Sequence, residues 1–192
     1  EHVAVLETCK WLETQGFQVT YLPVDVYGCV RVQDVVNALT PQTFLVSIML
    51  ANNEVGSLQP VAEISCAVQR YVQALGDNND GDAKPQPILV HTDASQAIGK
   101  VRVSVDDLGV DLLTIAGHKL YAPKGVGALY IRAGSAMGEP DVLVHGASQE
   151  QGRRGGTENV AFDVALGQAC ALVEENLHEY AVAMQECRQF LT

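Results

Sequence analysis

The chain has 192 residues, with 12 Lys plus Arg against 23 Asp plus Glu and a formal net charge of -11. At 47% hydrophobic and 18% charged residues it holds enough apolar material for one core, which excludes disorder as a global description. The acidic total repels phosphate backbones and argues against DNA or RNA as a partner.

Cys9, Cys29, Cys66, Cys170 and Cys187 are odd in number, scattered and never paired as C-x-x-C. They suggest neither a disulfide framework nor a zinc ribbon, and the expectation is a reducing intracellular compartment with mostly buried thiols. The longest apolar run, residues 44–51, falls well short of the roughly 18 residues that span a bilayer, so no membrane association is expected. The sequence starts at Glu1, without methionine or signal-peptide pattern, already inside patterned sequence. It reads as a piece of a longer protein.

Val5, Cys9 and Leu12 recur at helical spacing before Gly16, predicting a helix over residues 3–15. Phe17, Val19 and Tyr21 alternate and predict a strand ending near Pro23. A short helix fits residues 32–39, stopped by Thr40-Pro41, and residues 44–49 read as a buried strand. Val61, Ile64, Val68, Tyr71 and Leu75 make an apolar helical stripe between Pro60 and Gly76. Residues 76–87 form a polar, proline-flanked stretch that reads as a mobile surface loop. Buried strands are predicted for residues 88–93, 112–116 and 126–132. From residue 158 to about 191 the pattern is helical, roughly 50 Å if straight, with Gly167 the expected place for a bend. The alternation predicts an α/β domain with a mostly parallel sheet and helices on both faces. Ligands in such sheets bind beyond the carboxyl ends of the strands, which directs attention to residues 51–56, 93–96 and 117–127.

Gly117-His118-Lys119 follows an apolar strand, and no acidic residue occurs between residues 112 and 138, where Lys119, Lys124 and Arg132 are all basic. That local absence suggests an anion site with backbone N–H groups near a phosphate or carboxylate. A lysine there is placed to act as the neutral amine of a Schiff base, the alternative being a solvated loop lysine. Asp93 ends a strand and Gln96 follows three residues on, so a starting helical turn would put both on one side. A carboxylate pairs with a cationic ring nitrogen and an amide with a phenolic oxygen, and pyridoxal phosphate offers both; Asp93 could instead simply cap its turn. His2, His91, His118 and His145 could serve as metal ligands with Asp93, but no second close pair completes a site and no metal is expected. The glycine-rich run 149–159 holds Arg153, Arg154 and Thr157 at the start of the long helix and suits either an anion or a capped helix with a surface basic pair.

Taken in order, these motifs resemble the class V, fold-type I pyridoxal-phosphate enzymes, and within them the NifS/IscS-like cysteine desulfurases and selenocysteine lyases. The matching stretches are Glu1-His2-x-Ala4-Val5-Leu6, residues 45–56 with Asn52-Asn53-Glu54, and His91-x-Asp93-Ala94-x-Gln96-x-x-Gly99-Lys100. They continue with Gly117-His118-Lys119-x-Tyr121-x-Pro123-Lys124-Gly125 and Gln149-Glu150-x-Gly152-x-Arg154-x-Gly156-Thr157-Glu158-Asn159. The resemblance implies that residues 1–157 are the central part of a large cofactor-binding domain, incomplete in this chain, and that residues 158–192 lead toward a small C-terminal domain. It implies pyridoxal 5'-phosphate as cofactor, held by Lys119, which would also accept the substrate α-proton. Asp93 would pair with the ring nitrogen, Gln96 with the ring oxygen, and His2 would stack on the ring and assist proton transfer. Asn53 would contact cofactor and substrate, His118 would help bind the phosphate, and Thr157 would reach the phosphate of the other subunit in a homodimer.

The implied reaction takes sulfur or selenium from L-cysteine or L-selenocysteine and leaves alanine, with a sulfur or selenium acceptor protein as a possible further partner. None of the five cysteines stands in the acceptor-cysteine motif of desulfurases. The sequence departs from the pattern at Ala116, where many relatives carry serine, and at Ala122, where glycine is usual. The upstream phosphate loop, the acceptor-cysteine loop and the substrate-carboxylate arginine of the family have no counterpart here. Two other readings stay open: a class V aminotransferase or other pyridoxal-phosphate lyase, and a catalytically silent scaffold of the same fold that binds partners such as iron–sulfur assembly proteins.

Overall fold

A computed structural model describes residues 1–77, 85–134 and 141–191. Much of the expected 76–87 loop and the last residues of the acid-free stretch lie outside the described residues. The elements in chain order are helices α1 (Val3–Thr14) and α2 (Val32–Ala38), strand β1 (Leu45–Ser47), helix α3 (Val61–Asp77), strand β2 (Leu89–Asp93), helix α4 (Val105–Leu108), strands β3 (Leu112–Ala116) and β4 (Gly127–Ile131), and helix α5 (Val160–Leu191). The sheet order is β1-β2-β3-β4. β1 and β2 pair in parallel with Val46 opposite Val90, β2 and β3 in parallel with Asp93 opposite Thr114, and β4 closes antiparallel on β3. The sheet is therefore mostly parallel, as the alternation of helix and strand requires.

Side chains alternate across each strand, and one face carries Val46, Ile48, Val90 and Leu113 into the core. Val61, Ile64 and Val68 of α3 and Val35 of α2 meet them, each at most 2% exposed. Each such aliphatic side chain stabilises the fold by roughly 1.5–3 kcal/mol. Thr92 is fully buried on the same face because its hydroxyl donates to the Ile48 carbonyl at 2.7 Å. The opposite face carries the half-buried Ser47, His91, Asp93 and Thr114. The polar chemistry of the sheet is thus gathered on one side.

Several elements differ from the sequence expectation. Residues 17–23 form no strand: no described strand runs beside them, and Phe17 instead packs its ring 5.9 Å from that of Phe44 while Tyr21 Oη donates to Glu13 at 3.2 Å. Helix α3 continues through Gly76 to Asp77. Helix α5 starts at Val160, two residues late, because the Asn159 carbonyl accepts the N–H groups of Phe162 and Asp163. It then runs unbroken through Gly167, about 48 Å at 1.5 Å per residue. Nothing lies within 4 Å of where a Gly167 Cβ would be, so no neighbour forces a bend there. The one-turn α4 was not anticipated, being too short for a periodic signal; the Ser104 hydroxyl caps it at the Asp107 N–H, and Gly109 at φ 64° ends it.

The expectation of mostly buried thiols is also corrected. All five cysteines are free, Cys66 and Cys187 are exposed, and Cys9, Cys29 and Cys170 are half-buried. Cys66 lies off the Ile64–Val68 stripe of α3, so helix geometry turns it outward. Among the described residues no helix is long and apolar enough to cross a membrane.

Candidate active site

A cavity of about 400 Å³ opens at the carboxyl ends of β1, β2 and β3. Six of the seven expected site residues line it: His2, Asn53, Asp93, Gln96, His118 and Lys119. Met49, Ser95 and Ala116 complete much of the wall. The volume is in the range of small-ligand and cofactor sites.

Asp93 is the last residue of β2, and its carbonyl accepts the Leu50 N–H at 2.8 Å, extending the ladder past β1. Its Oδ1 accepts the Ser95 N–H at 2.8 Å, so Asp93 caps the following turn and lines the cavity at once. The turn is not a helix but two interlocked hydrogen-bonded loops: Ala97 and Ile98 donate to the Ala94 carbonyl, and Lys100 and Val101 to that of Ala97. Ala94 and Ala97 are fully buried, which pins this backbone and with it Gln96.

Lys119 sits in a 3-10 turn, Gly117–Leu120, that leaves β3. Gly117 is required by close approach, since a Cβ there would stand 2.7 Å from the Val126 carbonyl oxygen. Leu120, 3% exposed, anchors the far end against Ala122 and Ala169 of α5. Between these two fixed points His118 and Lys119 are exposed toward the cavity mouth.

His2 caps α1, its Nδ1 accepting the Ala4 N–H at 3.2 Å. That bond requires an unprotonated Nδ1, so Nε2 is the ring nitrogen left for a ligand. Beside it the Glu1 carboxylate accepts the Met49 N–H at 2.5 Å, tying the start of α1 to the end of β1. Burial pushes the Glu1 carboxyl above its ordinary value, against the Met49 hydrogen bond, which lowers it. Asn53 is carried by a turn in which Asn52 Oδ1 accepts the N–H groups of Glu54 and Val55, both at 2.9 Å. Gly56 at φ 73° and a bridge between Ala51 and Leu58 close that turn.

Thr157 is the expected site residue that the cavity does not include; it is exposed in the loop ahead of α5. In that loop Glu150 and Gln151 take positive φ of 49° and 59°, and Gly155 packs against Gly146 so closely that a Gly155 Cβ would lie 2.6 Å from the Gly146 Cα. The basic set of the acid-free stretch also separates. Arg132 leaves the site altogether, pairing with Asp106 at 2.8 Å and donating to the carbonyls of Val105 and Val110, because β4 carries it to the opposite end of the sheet. Lys124 is exposed and does not line the cavity, so Lys119 is the basic amine at the site.

Two contributions escaped the motif reading. His91 bridges three strands, with Nδ1 2.8 Å from Ser47 Oγ and Nε2 2.9 Å from Thr114 Oγ1. Burial pushes its pKa below the ordinary value, partly offset by Asp93. With both ring nitrogens engaged His91 is no metal ligand, and among the described residues no group of three or more His, Cys, Asp or Glu is placed to hold a metal ion. The second is Lys100, whose Nζ donates to the Lys119 carbonyl at 3.3 Å. The His91-x-Asp93 spacing hints at the first, through two residues on one strand face. Lys100 closes the same motif, but its contact is not readable there, because the acceptor is a backbone atom.

Residues 1–190 match the aminotransferase class-V family. A cysteine desulfurase IscS from Clostridium botulinum is 47% identical over 179 residues, which is 93% of this chain and 41% of that protein. A selenocysteine lyase from Rattus norvegicus is 45% identical over 181 residues, 94% of this chain and 40% of that protein. Among solved structures, a NifS-like protein superposes with a TM-score of 0.87 at 42% identity, covering 100% of this chain and 48% of that one. The chain therefore spans less than half the length of these relatives.

Proposed function

This chain belongs to the aminotransferase class-V family, and from that premise we propose that it forms the central part of a pyridoxal-phosphate enzyme removing sulfur from L-cysteine or selenium from L-selenocysteine. The observation that carries the reading is the convergence of Asp93, Gln96 and Lys119, from two different strand ends, on one cavity. The donor set fits the cofactor: a carboxylate for a ring nitrogen, amides for a ring oxygen, imidazoles for stacking and phosphate contact, and one amine for a carbonyl carbon.

Asp93 would hold the ring nitrogen protonated, Gln96 and Asn53 would orient the ring oxygen, and His118 would bind phosphate oxygen. When bound, pyridoxal phosphate supplies an electron sink that stabilises negative charge at the substrate α-carbon. Lys119 Nζ would hold the cofactor and then take the proton from the substrate Cα. His2 Nε2, left free by the α1 cap, would assist proton transfer between cofactor and substrate. Thr157 would act across a homodimer interface on the partner's phosphate, consistent with its absence from this chain's own cavity lining. The acceptor for the released sulfur or selenium would be a group outside this chain or a separate acceptor protein, and α5 would lead toward the remaining small domain.

The names of the relatives support both cysteine and selenocysteine as substrates, and alanine formation distinguishes them. The full-length protein supplied with pyridoxal phosphate is expected to release alanine from one or both amino acids. A full-length Lys119→Ala variant is expected to release none above background. Turnover by that variant equal to wild type would overturn the reading.

A further inference from the structure

We propose that Lys100 is a positioning residue that sets the Lys119 turn in register with the Asp93–Gln96 turn; the proposal rests on the functional reading above. Asp93 and Gln96 belong to the chain leaving β2, and Lys119 to the chain leaving β3. Ile98 packs against the Leu120 cluster, but no backbone ladder joins these two segments once the strands end, so a polar link between them must come from a side chain. Lys100 supplies it. Its own N–H donates to the carbonyl of the fully buried Ala97 at 3.0 Å, and its Nζ crosses to the Lys119 carbonyl at 3.3 Å.

The acceptor suits this role. A four-residue 3-10 turn leaves its last carbonyls without partners in the turn itself, and Tyr121, at φ 67°, ends it. A lysine reaching such a carbonyl satisfies it with a charge-assisted bond. The approach is constrained as well: Gly99 takes φ 81°, a conformation that favours glycine, and lies in van der Waals range of Val173 and Leu120. The stem of Lys100 thus starts from a fixed point. Among the described residues its ammonium forms no ion pair, and the Lys119 carbonyl is its hydrogen-bond partner. Burial first, and the Lys119 charge second, lower the Lys100 pKa. Lys100 also lines a second cavity of about 550 Å³ that shares Ala51, Asn53 and Gln96 with the first.

The test uses the full-length protein and variants Lys100→Met and Lys100→Arg, titrated with pyridoxal phosphate and followed by visible absorption across pH. Lys100→Met is expected to weaken cofactor binding about fivefold, the scale of one partly solvated charge-assisted hydrogen bond. It is also expected to move the pH midpoint of the cofactor absorption upward by a few tenths of a unit, because a nearby positive charge has been removed. Lys100→Arg keeps the charge and a donor, and is expected to recover most of both effects. Wild-type affinity and midpoint in Lys100→Met, or no recovery in Lys100→Arg, would overturn the positioning role while leaving the functional reading intact. Failure of the wild-type protein to bind pyridoxal phosphate would overturn both.

Discussion

His91 Nε2 lies 2.9 Å from Thr114 Oγ1, joining β2 to β3 on the sheet face that also carries Asp93. With Ser47 on the other nitrogen, a neutral imidazole meets both neighbours, one hydroxyl donating and the other accepting. Because burial lowers the folded-state pKa of His91 below 6.5, the unfolded chain binds the extra proton first as pH falls. The stabilising contribution is therefore full above about pH 6.5 and is lost as pH falls from there through the folded-state value. Replacing His91 by Gln, which cannot titrate, is expected to flatten that part of the stability profile. Urea midpoints of the full-length protein and the variant, measured between about pH 5 and 8, check it. Parallel profiles would contradict the assignment.

His2 caps α1 through Nδ1 and lines the cavity, and the proposed function gives it a second, catalytic task. His2→Asn retains a capping side chain and is expected to unfold near the wild-type midpoint, whereas His2→Ala is expected to lose about 1 kcal/mol. Both lack the imidazole and are expected to lose alanine release alike. Urea unfolding and an alanine assay on the same two preparations separate the tasks.

Ala116 lines the cavity where serine is usual in the resembled family. Restoring the hydroxyl by Ala116→Ser adds a donor for a phosphate oxygen, worth about 0.5–1.5 kcal/mol, or roughly twofold to tenfold tighter pyridoxal-phosphate binding. Equilibrium titration of the full-length variant measures it. Unchanged or weaker binding would show that the phosphate does not reach this wall.

Asp93 and Lys119 were legible in the sequence because both follow short apolar strands whose ends are where an α/β sheet binds its ligands. The helical stripe Val61, Ile64 and Val68 was equally plain, since burial of one face leaves a period in the residues. The alternation at residues 17–23 misled because alternation reports two-sidedness and says nothing of a neighbouring strand. Arg132 misled for a related reason: nearness in sequence to Lys119 ignores that an antiparallel strand carries it to the other end of the sheet. The motif holds Lys100 and His91, but their contacts were not legible, because their partners are a backbone carbonyl and hydroxyls on other strands, and such pairings exist only once the chain is folded.

The central claim is that Lys119 holds pyridoxal phosphate through its Nζ. Borohydride reduction of the full-length protein loaded with pyridoxal phosphate, followed by peptide mass spectrometry, tests it most directly. A pyridoxyl adduct on Lys119, absent in Lys119→Ala, is the expected result. A folded, loaded protein whose adduct lies on another lysine, or that carries none, would contradict it.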